Sequence, residues 1–306
     1  LTWIIARPSR TAWPLPAVDG AAVDRPTAAA RQKRPNAREN AMNVVASPAS
    51  LAPSSSSGIS EEEWRIRCDL AALYRLVAHH RMTDLIYTHI SARLPGPEHH
   101  FLINDYRRMF HEMRASDLVK IDMDGRIVED RASGKVVNSA GFCIHPAIHM
   151  AREDLTCVIH THTAAGIAVS AQKHGLLPLS QQALRFYDRL SYHDYEGIAL
   201  DLSERERLVA DLGPNSAMVL RNHGLLVCGR SIQEAFLNVY YLERACQAQV
   251  AALSGGAELS LPSLEVCEHT ARQYHDRDAA GREAHYAMMW ETCLRLIERD
   301  TPDYRS

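Results

Sequence analysis

No apolar run in this sequence approaches the ~20 residues that a helix needs to cross a bilayer, which excludes a helical membrane span. Net charge is scarce too. At −3 over 306 residues the chain lacks the cationic excess of a general nucleic-acid binder. The seven cysteines (68, 143, 157, 228, 246, 267 and 293) contain no Cys-x-x-Cys pair. An odd number of thiols without pairing spacing reads as reduced, buried side chains of a cytoplasmic protein. Internal repeats are also missing, so solenoid and propeller architectures are not expected.

The charge that exists is unevenly placed. Residues 1–41 carry seven Lys/Arg against Asp19, Asp24 and Glu39, a balance of +4, so the remainder is near −7. Residues 1–59 are rich in Pro, Ala, Ser and Arg without sustained periodicity and are expected to be a disordered extension. The first Met is Met42, so residues 1–41 read either as an upstream stretch from a misplaced start or as an Arg-rich, acid-poor targeting peptide.

Order is expected from Ser60-Glu61-Glu62-Glu63, a capping box that opens a helix with Ile66, Leu70, Leu73, Tyr74 and Val77 on one face. Strand patterns follow at 85–94 and 101–104, then a hairpin over 118–128 turning at Asp124-Gly125. A helix is predicted over 140–152, a strand over 155–162 and a helix over 164–173. Ser203-Glu204-Arg205-Glu206 opens a helix that ends at Gly213-Pro214. Strands at 217–220 and 225–228 bracket Arg221-Asn222-His223-Gly224. Ser231 then caps a long helix to Leu253. The fold expected is a three-layer α/β/α domain over 60–254 with a central mixed, largely antiparallel sheet. A polar, peripheral helical tail follows over 255–306.

Sixteen histidines are too many for one to be informative alone, but their spacing separates them. In His160-Thr161-His162 the alternation of a strand puts both imidazoles on one face, within reach of one ion. Neutral imidazole suits a transition metal, and catalytic sites keep three protein ligands and open positions. A polar strand end reads equally well from this pattern alone. A third imidazole, His223, stands at a turn where Gly224 permits close backbone approach. His145 and His149, four apart on a helical stretch, can face one way, and His193 and Tyr195 could line a pocket. His79-His80 ends a helix, where the dipole favours cations, and His99-His100 in a turn reads as solvated.

Five segments occur together and in order. They are 144–154; Val158-Ile159-His160-Thr161-His162-Thr163; Gly175-Leu176-Leu177-Pro178-Leu179-Ser180; His193-Asp194-Tyr195-Glu196-Gly197; and Arg221-Asn222-His223-Gly224-Leu225-Leu226. With them the chain resembles the class II aldolase/adducin family over roughly 61–253, nearest its adducin-like branch. The resemblance implies a divalent metal, zinc first with iron, manganese or cobalt as alternatives, on His160, His162 and His223. It also implies a small-molecule substrate and a homotetramer, while the charge balance and the lack of long apolar runs imply no nucleic-acid or membrane partner.

Two departures from the family's aldolases stand out. Their proton-shuttling carboxylate, one helical turn before the position of His145, is Gly141 here, which cannot transfer a proton. Their phosphate-binding Gly, Asn and Ser positions become Thr88-His89-Ile90-Ser91, Asn138-Ser139-Ala140 and Asn104-Asp105-Tyr106-Arg107. Fewer small residues and hydroxyls means fewer donors for phosphate oxygens, although Arg107 or Arg108 could take an anion. Sugar-phosphate cleavage is therefore not expected. Retro-aldol cleavage or decarboxylation of an unphosphorylated hydroxy or keto compound is, with His145, His193 or Tyr195 as replacement acid or base. A non-catalytic assembly module and an Fe(II) oxygenase on the same three histidines stand as alternatives.

Overall fold

The computed structural model describes residues 58–129, 134–138, 141–198 and 203–306. The extension expected over 1–59 falls almost wholly outside them. Helix α1 (Glu61–His79) is capped as expected, the Ser60 hydroxyl accepting from the Glu63 amide at 3.1 Å. The other elements in chain order are β1 (His89–Arg93), β2 (Phe101–Ile103), β3 (Val119–Ile121), α2 (Gly141–Ala151), β4 (Cys157–Thr161), α3 (Ala164–Ser170), α4 (Gln181–Leu184), β5 (Ser191–His193), α5 (Glu204–Leu212), β6 (Ala217–Leu220), β7 (Gly224–Gly229), α6 (Ile232–Ser254), α7 (Leu264–His275) and α8 (Ala279–Glu298).

The strands form one seven-stranded sheet in the order β3-β2-β1-β4-β7-β6-β5. Every neighbouring pair is antiparallel except β5 with β6, so the sheet is mixed and largely antiparallel as the sequence implied. Its central strands are buried on both faces, and their alternation divides the core in two. Cys157, Ile159, Val219, Leu225 and Val227 pack with α1, α6 and α8. Val158, Met218, Leu220, Leu226 and Cys228 pack with Ile144 and Ile148 of α2 and Leu208 and Leu212 of α5. These are the three layers.

Several expectations change in detail. The strand read over 85–94 begins only at His89. Leu85 and Thr88 have φ of 49° and 73°, so the chain before β1 turns through the left-handed region. The 118–128 hairpin turns as predicted, with Gly125 at φ 83°, but its returning limb makes one bridge, Ile121 to Ile127. Ser203 has helical backbone angles and makes no side-chain cap to α5. The polar tail is helical, yet Trp290, Ile297 and Tyr304 belong to the main core. Arg75 of α1 reaches the carboxylate of Asp303 at 2.6 Å. Of the cysteines, six are buried and Cys293 is half-buried, all as free thiols. Burial pushes the Cys68 thiol up to about 11 and that of Cys228 to about 12, so both stay protonated.

Candidate metal centre

The strand β4 ends in the sequence that matters. Val158 and His160 share the face covered by α2 and α5, and the apolar neighbours fix the register that sends the His160 ring inward. His162 continues past the strand end. His223 comes from the turn between β6 and β7, where Asn222 takes φ 55°, a conformation that asparagine tolerates better than most residues. Arg221 braces this turn. Its guanidinium lies 4.3 Å from the Tyr192 ring centroid and donates to the Gln172 carbonyl at 2.8 Å. Gly224 is required by proximity, because a Cβ there would meet the Thr161 carbonyl oxygen and lie 3.2 Å from His162 Cδ2.

These elements bring three imidazole nitrogens together. His160 Nε2 and His162 Nε2 are 2.8 Å apart, His162 Nε2 and His223 Nε2 are 2.9 Å apart, and all three lie within 4.8 Å of one another. The outer nitrogens have partners that assign the tautomers. His160 Nδ1–H donates to the Leu225 carbonyl at 3.0 Å, and His162 Nδ1–H donates to the Asp84 carboxylate at 3.0 Å. Both Nε2 atoms then carry lone pairs aimed at one another, an arrangement that repels unless a cation lies between them. Burial and the neighbouring imidazoles hold His160 well below its ordinary pKa, and burial with His162 and His193 brings His223 down to about 4. A proton is thus a poor choice of cation here, whereas a divalent metal prefers neutral imidazole. The donor set fits such an ion.

The remaining candidates are arranged differently from one another. His145 is fully buried and does not touch the triad. Its Nε2 pairs with His89 Nδ1 at 2.7 Å, and its Nδ1 with Ser91 Oγ at 2.6 Å. Ser91 Oγ also meets His149 Nε2 at 2.8 Å. His89 is the link to the pocket: it is the register partner of His160 across β1 and β4, and their ring centroids are 5.5 Å apart. His193 is held by carboxylates, with Nδ1 2.7 Å from Asp211 and Nε2 3.3 Å from Glu204, so both its nitrogens are committed. Tyr195 is 53% exposed with its ring 6.4 Å from that of His223, at the mouth of the pocket rather than inside it. Gly141 is the first residue of α2. Arg107 and Arg108 are taken up by Asp105 and Asp117, each at 3.2 Å, which leaves neither as a free anion receptor. His80, read as a cation favoured at the helix end, packs against Phe236 and Tyr240, and burial lowers its pKa to about 4.

Two neighbours of the triad escaped the sequence. Asp84 lies in a turn 78 residues before His162, and no spacing rule connects them. His89 left a signal: it and Ser91 alternate on one strand face, but the pairing of β1 with β4 was needed to give that face a destination.

A mixed sheet between helical layers, with three imidazoles converging at its strand ends, defines an α/β domain with a pocket suited to a divalent cation. Residues 68–250 match the class II aldolase and adducin N-terminal domain, and the chain belongs to that family. It is 50% identical over 246 residues to a Caulobacter vibrioides protein assigned by name to aldolase class 2, covering 80% of this chain and 94% of that one. It is 40% identical over 243 residues to mouse alpha-adducin, which covers 79% of this chain but only 33% of that much longer protein. Among solved structures, an aldolase II superfamily protein from Pseudomonas syringae superposes with a TM-score of 0.77 at 52% identity. The match covers 83% of this chain and 100% of that one.

Proposed function

We propose that this protein is a divalent-metal-dependent lyase that cleaves or decarboxylates an unphosphorylated hydroxy or keto compound. The observation that carries this reading is the convergence of the three Nε2 atoms, each of two backed by a hydrogen-bonded Nδ1. A cation held by His160, His162 and His223, zinc first with iron, manganese or cobalt as alternatives, would supply Lewis-acid stabilisation of charge developing on a substrate oxygen.

The protein's own groups must then hold and move a proton, because Gly141 brings no carboxylate. His89, whose ring lies beside that of His160, is the group assigned this task. The same imidazole lies in Thr88-His89-Ile90-Ser91, the segment that stands where the family's aldolases carry a Gly-Asn pair before a strand Ser, so a segment with fewer phosphate donors gains a titratable nitrogen. Burial and neighbouring imidazoles keep His89 and His145 well below the ordinary histidine pKa, so both are neutral near pH 7. A neutral chain His89–His145–Ser91–His149 has two consistent proton arrangements. In one, His89 presents Nε2–H to the pocket as an acid. In the other, His89 donates from Nδ1 to His145 and presents a bare Nε2 as a base. His145 and Ser91 orient this ring, and Tyr195 borders the entrance. His193, fixed by Asp211 and Glu204, props the His223 side of the pocket.

Purified protein reconstituted with zinc, iron or manganese and offered hydroxy acids and aldehydes should turn one of these classes over. His89→Asn should remove turnover and leave metal content unchanged. Failure of the wild-type chain to bind any divalent metal would refute this reading, and stoichiometric iron with O₂ uptake would replace it by oxygenase chemistry. Likeness to alpha-adducin supports a second reading, a non-catalytic assembly module. Under that reading His160→Ala would leave the protein's role in cells unchanged. We further propose a homotetramer in the cytoplasm. Exposed Leu264 and Val266 on α7 and Met288 and Leu296 on α8 offer apolar surface for such contacts, and light scattering of the purified protein tests it.

A further inference from the structure

At the end of the sheet away from the histidines lies a second cavity of about 270 Å³. It opens where β4 and β6 begin and β7 ends, bounded by Leu155, Ser216 and Arg230, with α4, α6 and the α7–α8 junction as its other walls. At ~3.3 Å per strand residue this is roughly 20 Å from the triad, so the two sites share no side chain. Arg152, Arg185, Arg189, Arg230, Arg282 and His275 line it, facing the carboxylates of Asp154, Glu234 and Asp276.

The acids do not balance the arginines. Asp154 is occupied by Arg152 at 2.8 Å. Glu234 accepts from the Arg230 backbone amide at 2.8 Å and from the Tyr286 hydroxyl at 3.4 Å. Among the described residues, no carboxylate lies within ion-pair distance of Arg185, Arg189, Arg230 or Arg282. Arg185 is the notable member, only 7% exposed. Its Nε and Nη2 donate to Asn238 Oδ1 at 3.2 and 2.7 Å, and the rings of Tyr241 and Tyr274 each lie 5.6 Å from it. Its backbone carbonyl accepts from His275 Nε2 at 3.0 Å, which ties α7 to the end of α4. Burying a guanidinium without a counter-charge is costly, and a neutral amide oxygen offsets only part of that cost. An anion from solution would supply the rest.

We propose that this cavity is a binding site for a small phosphate-bearing anion. Guanidiniums approaching from four separate segments suit the several oxygens of a phosphate group, which accepts forked pairs from more than one direction. Tyr286 and Phe186 line the remainder of the wall and leave room for a small organic group attached to it. The site does not depend on the chemistry proposed for the histidines.

Calorimetry on the zinc-loaded full chain should show saturable binding of pyrophosphate, of a simple phosphomonoester such as glycerol phosphate, or of inorganic phosphate. The ranking of the three tells a phosphorylated metabolite from free phosphate. Citrate serves as the carboxylate control and should bind more weakly. Arg189→Ala with Arg282→Ala, both on the rim, should weaken binding at least about tenfold while zinc content stays the same. Arg185→Lys should weaken it too, and the rim variant decides the matter if that chain does not fold. No saturable binding of any phosphate, unchanged affinity in the rim variant, or stronger binding of citrate than of every phosphate would overturn the proposal.

Discussion

At one end of β4 and β7 sit imidazoles whose protons burial removes; at the other end sit guanidiniums that keep theirs at any ordinary pH. His160 and His223 are held below their usual pKa so that lone pairs face a shared point. Arg185 keeps its charge and is wrapped in an amide oxygen and two aromatic rings. One end is therefore suited to a cation and the other to an anion, although both are built on the same strands. The difference follows from side-chain chemistry rather than from the fold: a base that neutralises on burial exposes a donor pair, and one that cannot neutralise demands a counter-ion.

Acid should separate the two ends most sharply. His149 is pushed down to about 3 by burial from an ordinary value of 6.5, so the unfolded chain binds its proton first as pH falls. Stability of the metal-free protein should be flat above pH 6.5 and decline progressively from 6.5 towards about 3, where the native group protonates as well. Urea unfolding across this range measures it. His149→Gln should lessen the slope by the share of this one group, leaving that of His80, His89, His145, His160 and His223, whose pKa burial also lowers. A slope unchanged by the substitution would mean that His149 contributes nothing to it.

Removing a ligand comes next. His160→Ala should lower zinc affinity by more than about 100-fold, since exchanging even an outer partner of a ligand costs about 10–100-fold. Elemental analysis after dialysis reads the loss, and full zinc retention would remove His160 from the site. At the other end, Arg185→Met deletes the bonds to Asn238 together with the cation–π contacts. It should cost about 2 kcal/mol in chemical denaturation, and a neutral or stabilising outcome would mean that relief of the buried charge dominates. Asp84→Asn keeps the ring contact but removes the carboxylate, so zinc affinity should drop about tenfold with stability unchanged. As the smallest effect, Arg126→Ala at the exposed β3 turn should alter stability by less than about 0.5 kcal/mol and touch neither end.

Much of this molecule was legible without coordinates. Near-continuous apolar runs at 155–159, 217–220 and 225–228 pointed to the central strands, because strands buried on both faces leave such runs. Ser60 and Ser231 announced α1 and α6 through their capping hydroxyls. The His160-Thr161-His162 spacing is local and therefore readable. Less was legible where the chain turns. The left-handed residues Leu85 and Thr88 shortened β1, and nothing in their chemistry favours φ > 0.

By itself, then, the sequence determined the layers, the order of the motifs and the His160-Thr161-His162 pair, since each depends on residues a few positions apart. His223, 61 positions from His162, was read only through the family resemblance. Only the tertiary structure decided what surrounds them. Pairing β1 with β4 set His89 beside His160, and the turn at Asp84 delivered a carboxylate to His162. Folding α4, α6 and α8 together gathered arginines that lie up to 130 positions apart in the chain. Electrostatics acts through space and sequence patterns act along the chain, so the site's ligands could be read before the fold and their environment could not.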